Sequence, residues 1–175
     1  MDYIVKTPCG PVLGTAGRVA GTVAYKGIRY ATAGRWEYPE QVTHWEGVYD
    51  ATAYGHCAYQ ARAFYDEEKN QKKFFYYNEF RKGETYSYDE DCLFLNIFTP
   101  DSAKTGDNLP VLVYIHGGGF EARDKTYGSV MAEYLAQHGV GVVCLGYRMY
   151  PAAVYPDFIR DSAAAVAWAH KNMKD

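Results

Sequence analysis

Several kinds of segment are missing from this sequence of 175 residues. No apolar run reaches the roughly 20 residues that a membrane-spanning helix needs, so we expect no membrane span. The start, MDYIVKTPCG, lacks the basic segment and apolar core of a signal peptide. We therefore expect a cytoplasmic protein, or a secreted one if a leader was removed. A net charge of −3 gives no reason to expect nucleic acid as a partner.

The usual metal and redox motifs are missing as well. The four cysteines, at positions 9, 57, 92 and 144, form no CxxC pair, and no two histidines have the HExxH spacing. These absences argue against zinc and redox chemistry, and we expect no cofactor and no metal. Four cysteines in a chain of this size also do not make a disulfide scaffold. No internal repeat or low-complexity tract is present.

The most informative stretch present is VLVYIHGGGF, from Val111 to Phe120. Its apolar run is typical of a strand buried on both faces. The three glycines that follow His116 indicate a backbone that takes positive φ or that another group approaches closely. A plain tight turn would account for one glycine and accounts poorly for three. The carboxyl end of a buried parallel strand is also where open α/β sheets bind ligands.

Such a glycine loop can carry out one specific kind of chemistry. Its backbone N–H groups can converge on a developing oxyanion, and each donor contributes roughly 3–4 kcal/mol to the transition state. An HGGG-type loop of this kind is the oxyanion-hole element of lipases and esterases. The loop is only half of a site, because a nucleophile, a base and an orienting acid are also needed.

The sequence offers no candidates for those partners. The serines stand at positions 87, 102, 129 and 162, and none lies in a GxSxG motif. We interpret Ser129 as a helix cap, and Ser162 lies inside a predicted helix. His138 and His170 lie near helix ends, and His44 and His56 pair with no plausible nucleophile. The residues alone therefore predict an oxyanion loop without a catalytic triad.

Residues 1–100 are predicted to hold antiparallel strands and a long irregular loop. Asp2–Lys6, a return strand from Val12, and the alternation from Val19 to Tyr25 indicate a small antiparallel meander. The segment between Cys57 and Cys92 shows no regular period, which is typical of a functional or mobile loop. Its Phe74–Tyr77 run fits either local packing under the loop or an aromatic wall beside a substrate.

Residues 101–175 are predicted to form a strand, a helix, a strand and a helix. This order implies right-handed crossovers and a parallel sheet, and therefore the α/β fold class. The predicted strands are Val111–Ile115 and Val142–Tyr147. The first predicted helix is Ser129–His138, with Ser129 as its cap and Gly139 in the left-handed position at its end. The second helix is capped by Asp157 and carries an apolar stripe of Ile159, Ala163, Val166 and Ala167.

Taken together, several stretches resemble the amino-terminal part of type B carboxylesterases, the cholinesterase-like branch of the α/β-hydrolases. The matching stretches are GPVLGTAG (Gly10–Gly17), YKGIRYA (Tyr25–Ala31), Arg35-Trp36, DEDCLFLNIFTP (Asp89–Pro100), LPVLVYIHGGGF (Leu109–Phe120) and GYR (Gly146–Arg148). They keep the family's order over most of the chain. The segment YPDFIRDSAAAVAWAHKN also resembles bacterial and hormone-sensitive-lipase-like esterases. The resemblance implies that residues 1–175 form one incomplete α/β-hydrolase domain.

The resemblance also assigns roles to residues. It implies Gly118 and Gly119 as oxyanion donors, with His116 and Gly117 shaping the loop. The implied substrate contacts are Phe120 and, from an overhanging loop, Phe74, Phe75, Tyr76 and Tyr77. In the family the nucleophilic serine, the acid and the base all come later in the chain than Asp175.

The expected function is therefore the amino-terminal portion of a serine carboxylesterase, which hydrolyses small-molecule esters through an acyl-enzyme and is inactive alone. Two alternatives stay open: a non-catalytic cholinesterase-like binding module, and an unrelated α/β domain whose glycines hold a small anion. The strand Val111–Ile115 should pair with Val142–Tyr147 on one side and be open on the other. We therefore expect the chain to need the missing part of the fold, or to self-associate through this edge.

Further details follow from the same resemblance. Cys57 and Cys92 match a pair that is bridged in secreted members, and we expect free thiols in a reducing cytosol. Arg35 and Glu90 match a structural ion pair of the family. Arg29 stands where the family usually has proline, which implies a different wall of the substrate gorge.

Overall fold

A computed structural model describes residues 3–66, 68–70, 72, 75 and 77–173. The strands are β1 (Ile4–Thr7), β2 (Gly10–Leu13), β3 (Thr15–Ala16), β4 (Thr22–Arg29), β5 (Ala31–Thr32), β6 (Glu40–Gln41), β7 (Tyr49–Asp50), β8 (Phe94–Pro100), β9 (Val111–Ile115) and β10 (Gly141–Leu145). The helices are α1 (Ser129–Gln137) and α2 (Asp157–Asn172), with short helical turns at Ala61–Phe64, Tyr77–Arg81 and Lys125–Gly128. Within these described ranges, no helix has the length and apolar character to cross a membrane.

The central sheet has five strands in the order β3-β4-β8-β10-β9. β3, β4, β8 and β10 pair antiparallel in sequence, and β10 pairs with β9 in parallel, with Val143 opposite Val113. Antiparallel strands therefore lead into a parallel pair, as the sequence predicts. Because β9 and β10 run in the same direction, their carboxyl ends meet at one edge of the sheet.

Helices α1 and α2 cover opposite faces of this sheet. Successive side chains of a strand point to opposite faces, and β10 divides accordingly. Val142 and Cys144 join one apolar cluster with α1, whereas Val143 and Leu145 join the larger cluster that contains Trp168 of α2. The core therefore lies on both sides of β8 and β10.

The predicted antiparallel meander at the start of the chain is confirmed for its first hairpin and wrong for its third strand. β1 and β2 do form an antiparallel hairpin, but β2 then pairs in parallel with β7. The chain passes to the central sheet at Gly14, where a Cβ would lie 2.6 Å from the Tyr25 ring. Val19 and Gly21 lie outside the strands, because the chain turns there before β4 begins.

Both predicted helix caps are also wrong. Ser129 is the first residue of α1, and its hydroxyl donates to the Thr126 carbonyl at 2.8 Å. The cap lies one turn earlier, where the Asp124 carboxylate accepts from the Thr126 N–H at 2.8 Å. Asp157 is likewise the first residue of α2 and makes no capping bond inside the helix. Gly139 does take the left-handed conformation after α1, with φ of 84°, as predicted.

The apolar strand β9 is exposed, although its sequence predicts burial on both faces. Val111 is 46% exposed and Leu112 is 38% exposed. The reason is its position, because β9 is an edge strand whose pairing partner in the described sheet is β10. The prediction that this strand pairs with the 142–147 strand and leaves its other edge open is confirmed.

Backbone hydrogen bonds join the two ends of the segment between Cys57 and Cys92. Cys57 donates its N–H to the Ser87 carbonyl at 2.8 Å, and Asp89 donates its N–H to the Cys57 carbonyl at 3.0 Å. Arg81 forms a buried ion pair with Asp124 at 3.2 Å. These contacts attach the segment to the turn that precedes α1.

Candidate active site

The glycine loop, residues His116–Phe120, follows β9 at the carboxyl edge of the parallel pair. Leu145 of β10 lies opposite Ile115 of β9. The chain that leaves β10 at Gly146–Tyr150 therefore runs beside the glycine loop. This is the edge at which open α/β sheets bind ligands.

The loop adopts a conformation that requires glycine at one position above all. Gly118 has φ of 120°, and a Cβ there would lie 1.9 Å from the Ala122 carbonyl oxygen. Gly119 has φ of 64°, and Phe120 has φ of 63°, so the loop stays in the left-handed region for three residues. A non-glycine residue in that region costs of order 1–3 kcal/mol, which identifies Phe120 as a strained position.

Three successive carbonyl groups of the loop are each held by a hydrogen bond. The Tyr147 hydroxyl donates to the His116 carbonyl at 2.7 Å. The Nδ1 atom of His116 lies 2.9 Å from the Gly117 carbonyl. The Gly118 carbonyl accepts from the Glu121 N–H at 3.3 Å.

Because a trans peptide is planar, its C=O and N–H point in opposite directions. Fixing the three carbonyls therefore turns the N–H groups of Gly117, Gly118 and Gly119 away from their partners. These N–H groups donate no hydrogen bond to any residue that the structure describes. Successive unpaired N–H groups in such a turn form a concave site for an anion.

His116 supports the loop as a neutral side chain. It is 3% exposed, and its ring stacks on the Tyr147 ring with centroids 4.2 Å apart. Burial lowers the pKa of His116 below its ordinary value. Since Nδ1 faces a carbonyl oxygen, it must carry the proton. His116 is therefore a hydrogen-bond donor to the loop backbone, and its shaping role in an oxyanion hole stays a prediction.

An apolar groove of about 820 Å³ runs beside the loop. One wall consists of Ile115, Tyr147 and every residue of the glycine loop except Gly118, and the other is an exposed face of α2. That face carries the apolar stripe that the sequence predicts, namely Ile159, Ala163, Val166 and Ala167. The stripe faces the groove, while α2 buries a different face against the core, including Asp161 and Trp168.

The predicted substrate contacts divide into three groups. Phe120 lines the groove, and its ring stacks on Phe158 with centroids 3.9 Å apart. Phe75 is 74% exposed, and neither it nor Tyr77 lines this groove. Phe74 and Tyr76 lie outside the described residues. The aromatic wall from this loop stays a prediction.

The serines of the described chain have other partners or lie on the surface. Ser162 lines the groove, but its hydroxyl donates to the Phe158 carbonyl at 2.8 Å inside α2. Contrary to the sequence interpretation, His56 does contact a serine, with its Nδ1 2.7 Å from the exposed Ser87 hydroxyl. This contact spans 31 residues of an irregular segment, so no sequence motif could show it. Neither residue lines the groove.

Two further features of the groove join residues that are distant in the sequence. His170 lines the groove two turns along α2 from Ser162, too far for a direct hydrogen bond. Arg148 forms a buried ion pair with Asp161 at 2.8 Å, and its N–H also donates to that carboxylate at 3.0 Å. These bonds fix α2, the second wall of the groove, to the end of β10.

The contacts implied by the family resemblance can also be located. Arg35 Nε lies 2.8 Å from the Glu90 carboxylate, so the implied ion pair is present. Cys57 and Cys92 are buried free thiols. Burial raises the pKa of Cys57 to about 11 and that of Cys92 to about 12. Arg29, in place of the family's usual proline, forms a bidentate ion pair with Asp91.

Comparison with known proteins decides the family. The sequence matches the carboxylesterase family over residues 1–151. The chain belongs to this carboxylesterase family. The resemblance found in the sequence is thereby confirmed.

Individual relatives and solved structures agree with the family assignment. The chain is 36% identical to para-nitrobenzyl esterase of Bacillus subtilis over 97% of this chain and 35% of that protein. It is 30% identical to human cocaine esterase over 95% of this chain and 32% of that protein. The carboxylesterase chain therefore spans about a third of the length of these curated relatives.

Two solved structures show the same fold. A structure of para-nitrobenzyl esterase matches with a TM-score of 0.74 and 33% identity over 99% of this chain and 36% of that chain. A carboxylesterase of Geobacillus stearothermophilus matches with a TM-score of 0.75 and 28% identity over 98% of this chain and 35% of that chain. The α/β-hydrolase fold class predicted from the sequence is confirmed.

Proposed function

We propose that this chain supplies the oxyanion hole of a serine carboxylesterase, which hydrolyses carboxylic esters through an acyl-enzyme. The observation that carries the proposal is the glycine loop, where three carbonyls are held and the N–H groups of Gly117, Gly118 and Gly119 have no partner among the described residues. Gly118 and Gly119 are the oxyanion donors. Each would stabilise the tetrahedral intermediate by roughly 3–4 kcal/mol.

The nucleophile, base and acid come from polypeptide other than this chain. Ser129 and Ser162 donate their hydroxyl groups to backbone carbonyls, and Ser87, which contacts His56, lies outside the lining of the groove. His116 is neutral, buried and committed to the Gly117 carbonyl. The 175-residue chain alone is therefore expected to be inactive.

The order of the strands supports a proposal for the position of the nucleophile. β9 reaches β10 through α1 on one face of the sheet, and α2 leaves β10 on the opposite face. Connections of this kind are right-handed, so reversing the face reverses the direction along the sheet. A strand that followed α2 would lie beyond β9, against its open edge. The carboxyl end of that strand would face the glycine loop.

This placement would explain why the edge of β9 and the groove beside α2 are apolar and exposed. A strand against β9 would pair its free edge, and the connection that follows would cover the groove beside α2. We propose that further polypeptide occupies both surfaces in the active protein. The same surfaces would make the isolated chain self-associate.

The substrate class is a small-molecule carboxylic ester. The groove is lined mainly by apolar groups, among them Phe120, Tyr147 and Ile159. Such a lining suits an uncharged ester with an apolar or aromatic part. Para-nitrophenyl and para-nitrobenzyl esters are suitable probes, and the second is suggested by the similarity to para-nitrobenzyl esterase of Bacillus subtilis.

The test is a chimera in which this chain replaces the matching part of Bacillus subtilis para-nitrobenzyl esterase. We expect the chimera to hydrolyse para-nitrophenyl acetate and the isolated chain not to. Gly119→Ala should lower kcat by about 10² or more, because the side chain disfavours the donor conformation. Gly106→Ala is the matched control, since Gly106 also has positive φ, at 90°, with nothing within 4 Å.

Two results would contradict the proposal. Esterase turnover by the isolated chain would show that the triad is not missing. A folded chimera without turnover would favour the alternative of a cholinesterase-like binding module.

A further inference from the structure

Tyr147 makes two contacts with the glycine loop that its position in the sequence does not suggest. Its hydroxyl donates to the His116 carbonyl at 2.7 Å, and its ring stacks on the His116 imidazole. Tyr147 is 3% exposed, so water does not compete for the carbonyl. Both contacts fall on the first residue of the loop.

The same short segment also holds the last residue of the loop. The Tyr150 N–H donates to the Phe120 carbonyl at 3.0 Å. Residues 147 and 150 therefore fix the two ends of the loop, and both follow β10 rather than β9. The loop is held from the neighbouring strand.

We propose that Tyr147 is a positioning residue that sets the direction of the oxyanion donors, an inference that depends on the proposed function. The mechanism follows from peptide geometry. Holding the His116 carbonyl fixes the plane of the 116–117 peptide, and therefore the Gly117 N–H. The His116 ring, held by the stack on Tyr147, then fixes the Gly117 carbonyl and the Gly118 N–H in the same way. One tyrosine thus controls two successive donors.

The loop does not achieve this alignment without help. Glycine has the widest choice of backbone conformations, so three consecutive glycines would otherwise sample several peptide orientations. Among the described contacts, Glu121, the residue directly after the loop, holds the Gly118 carbonyl at the longer distance of 3.3 Å. The hydroxyl of Tyr147 makes the shortest of the three bonds to loop carbonyls.

The experiment compares Tyr147→Phe with Tyr49→Phe. Tyr49 is the matched control, because its hydroxyl donates to the Gly27 carbonyl at 2.8 Å, away from the loop. Residual dipolar couplings of the Gly117, Gly118 and Gly119 N–H groups in the 175-residue chain report their directions. We expect Tyr147→Phe to change the Gly117 and Gly118 couplings, and Tyr49→Phe to leave all three unchanged.

Kinetics of the chimera provide a second, independent measurement. Tyr147→Phe should lower kcat about tenfold with KM within about twofold, because the donors act in the transition state. Tyr147→Leu, which also removes the ring stack, should lower kcat further, whereas Tyr49→Phe should leave kcat unchanged.

Unchanged couplings in Tyr147→Phe, or equal changes in Tyr49→Phe, would overturn the assignment. An equal rise of KM in place of the fall in kcat would overturn it as well. If the couplings change as expected but the unmutated chimera has no turnover, the proposed function fails and the positioning of the loop by Tyr147 stands.

Discussion

Two strands of the central sheet, β8 and β9, are both rich in apolar residues but differ in burial. Phe94–Phe98 of β8 is buried throughout, between β4 and β10. β9 pairs with β10 along one edge, and Val111, Leu112 and Ile115 are exposed. The apolar pattern predicts which side chains should be buried. The position of the strand in the sheet decides whether the described chain buries them.

The largest expected effect is a difference in the free energy of unfolding between matched substitutions in β8 and β9. Leu95 of β8 is fully buried, so Leu95→Ala should lower the free energy of unfolding by about 2–5 kcal/mol. Leu112→Ala in β9 should cost less than about 1 kcal/mol, because its side chain is already 38% exposed. Urea unfolding of the two variants and the unmutated chain measures both values. Equal losses would show that β9 is covered in solution.

The open edge of β9 should also control self-association. Leu112→Lys places a charge on an unpaired strand, which disfavours pairing with a second edge. We expect the midpoint of self-association to move to a concentration about tenfold higher, with little change in stability. Sedimentation velocity over a concentration series measures this shift. A chain that is monomeric without the substitution would contradict the prediction.

A smaller effect is expected on the pH dependence of stability, because β9 leads into the buried His116. Burial lowers the pKa of His116 in the folded state, so below the ordinary value of 6.5 the unfolded chain binds a proton that the folded chain resists. The stability from neutral His116 is therefore present above that pH and is lost as the pH falls.

Urea unfolding at about pH 7.5 and about pH 5 should show this loss, and His116→Gln should show a smaller one. His138→Gln serves as the control, because this exposed histidine lies at the end of α1. An identical pH dependence in the unmutated chain and in His116→Gln would contradict the assignment.

Much of the carboxyl half could be predicted because local patterns and physical rules agree there. The strands, both helices and the left-handed Gly139 follow from apolar periodicity and glycine placement. The helices do begin at Ser129 and Asp157, but neither residue is a cap, because the capping carboxylate before α1 is that of Asp124 in the preceding turn. A cap candidate can be recognised locally, but its use depends on the geometry of the preceding turn.

The candidate site was predicted only in part, for a different reason. The glycine loop can be identified from consecutive residues, whereas its support comes from Tyr147, 31 residues away from His116. The contact between His56 and Ser87 and the ion pair of Arg148 with Asp161 likewise join distant residues. Such pairs depend on the order of strands in the sheet, which a single sequence does not state.

The strained backbone at Phe120 has a consequence for the proposed oxyanion hole. Its left-handed conformation is stabilised by the Phe158 stack and the Tyr150 N–H before any ligand arrives. The loop has therefore already lost its conformational freedom during folding, and the arriving carbonyl oxygen does not have to reorganise it. In a complete enzyme built on this frame, the donors would have the same geometry in the free and acylated states.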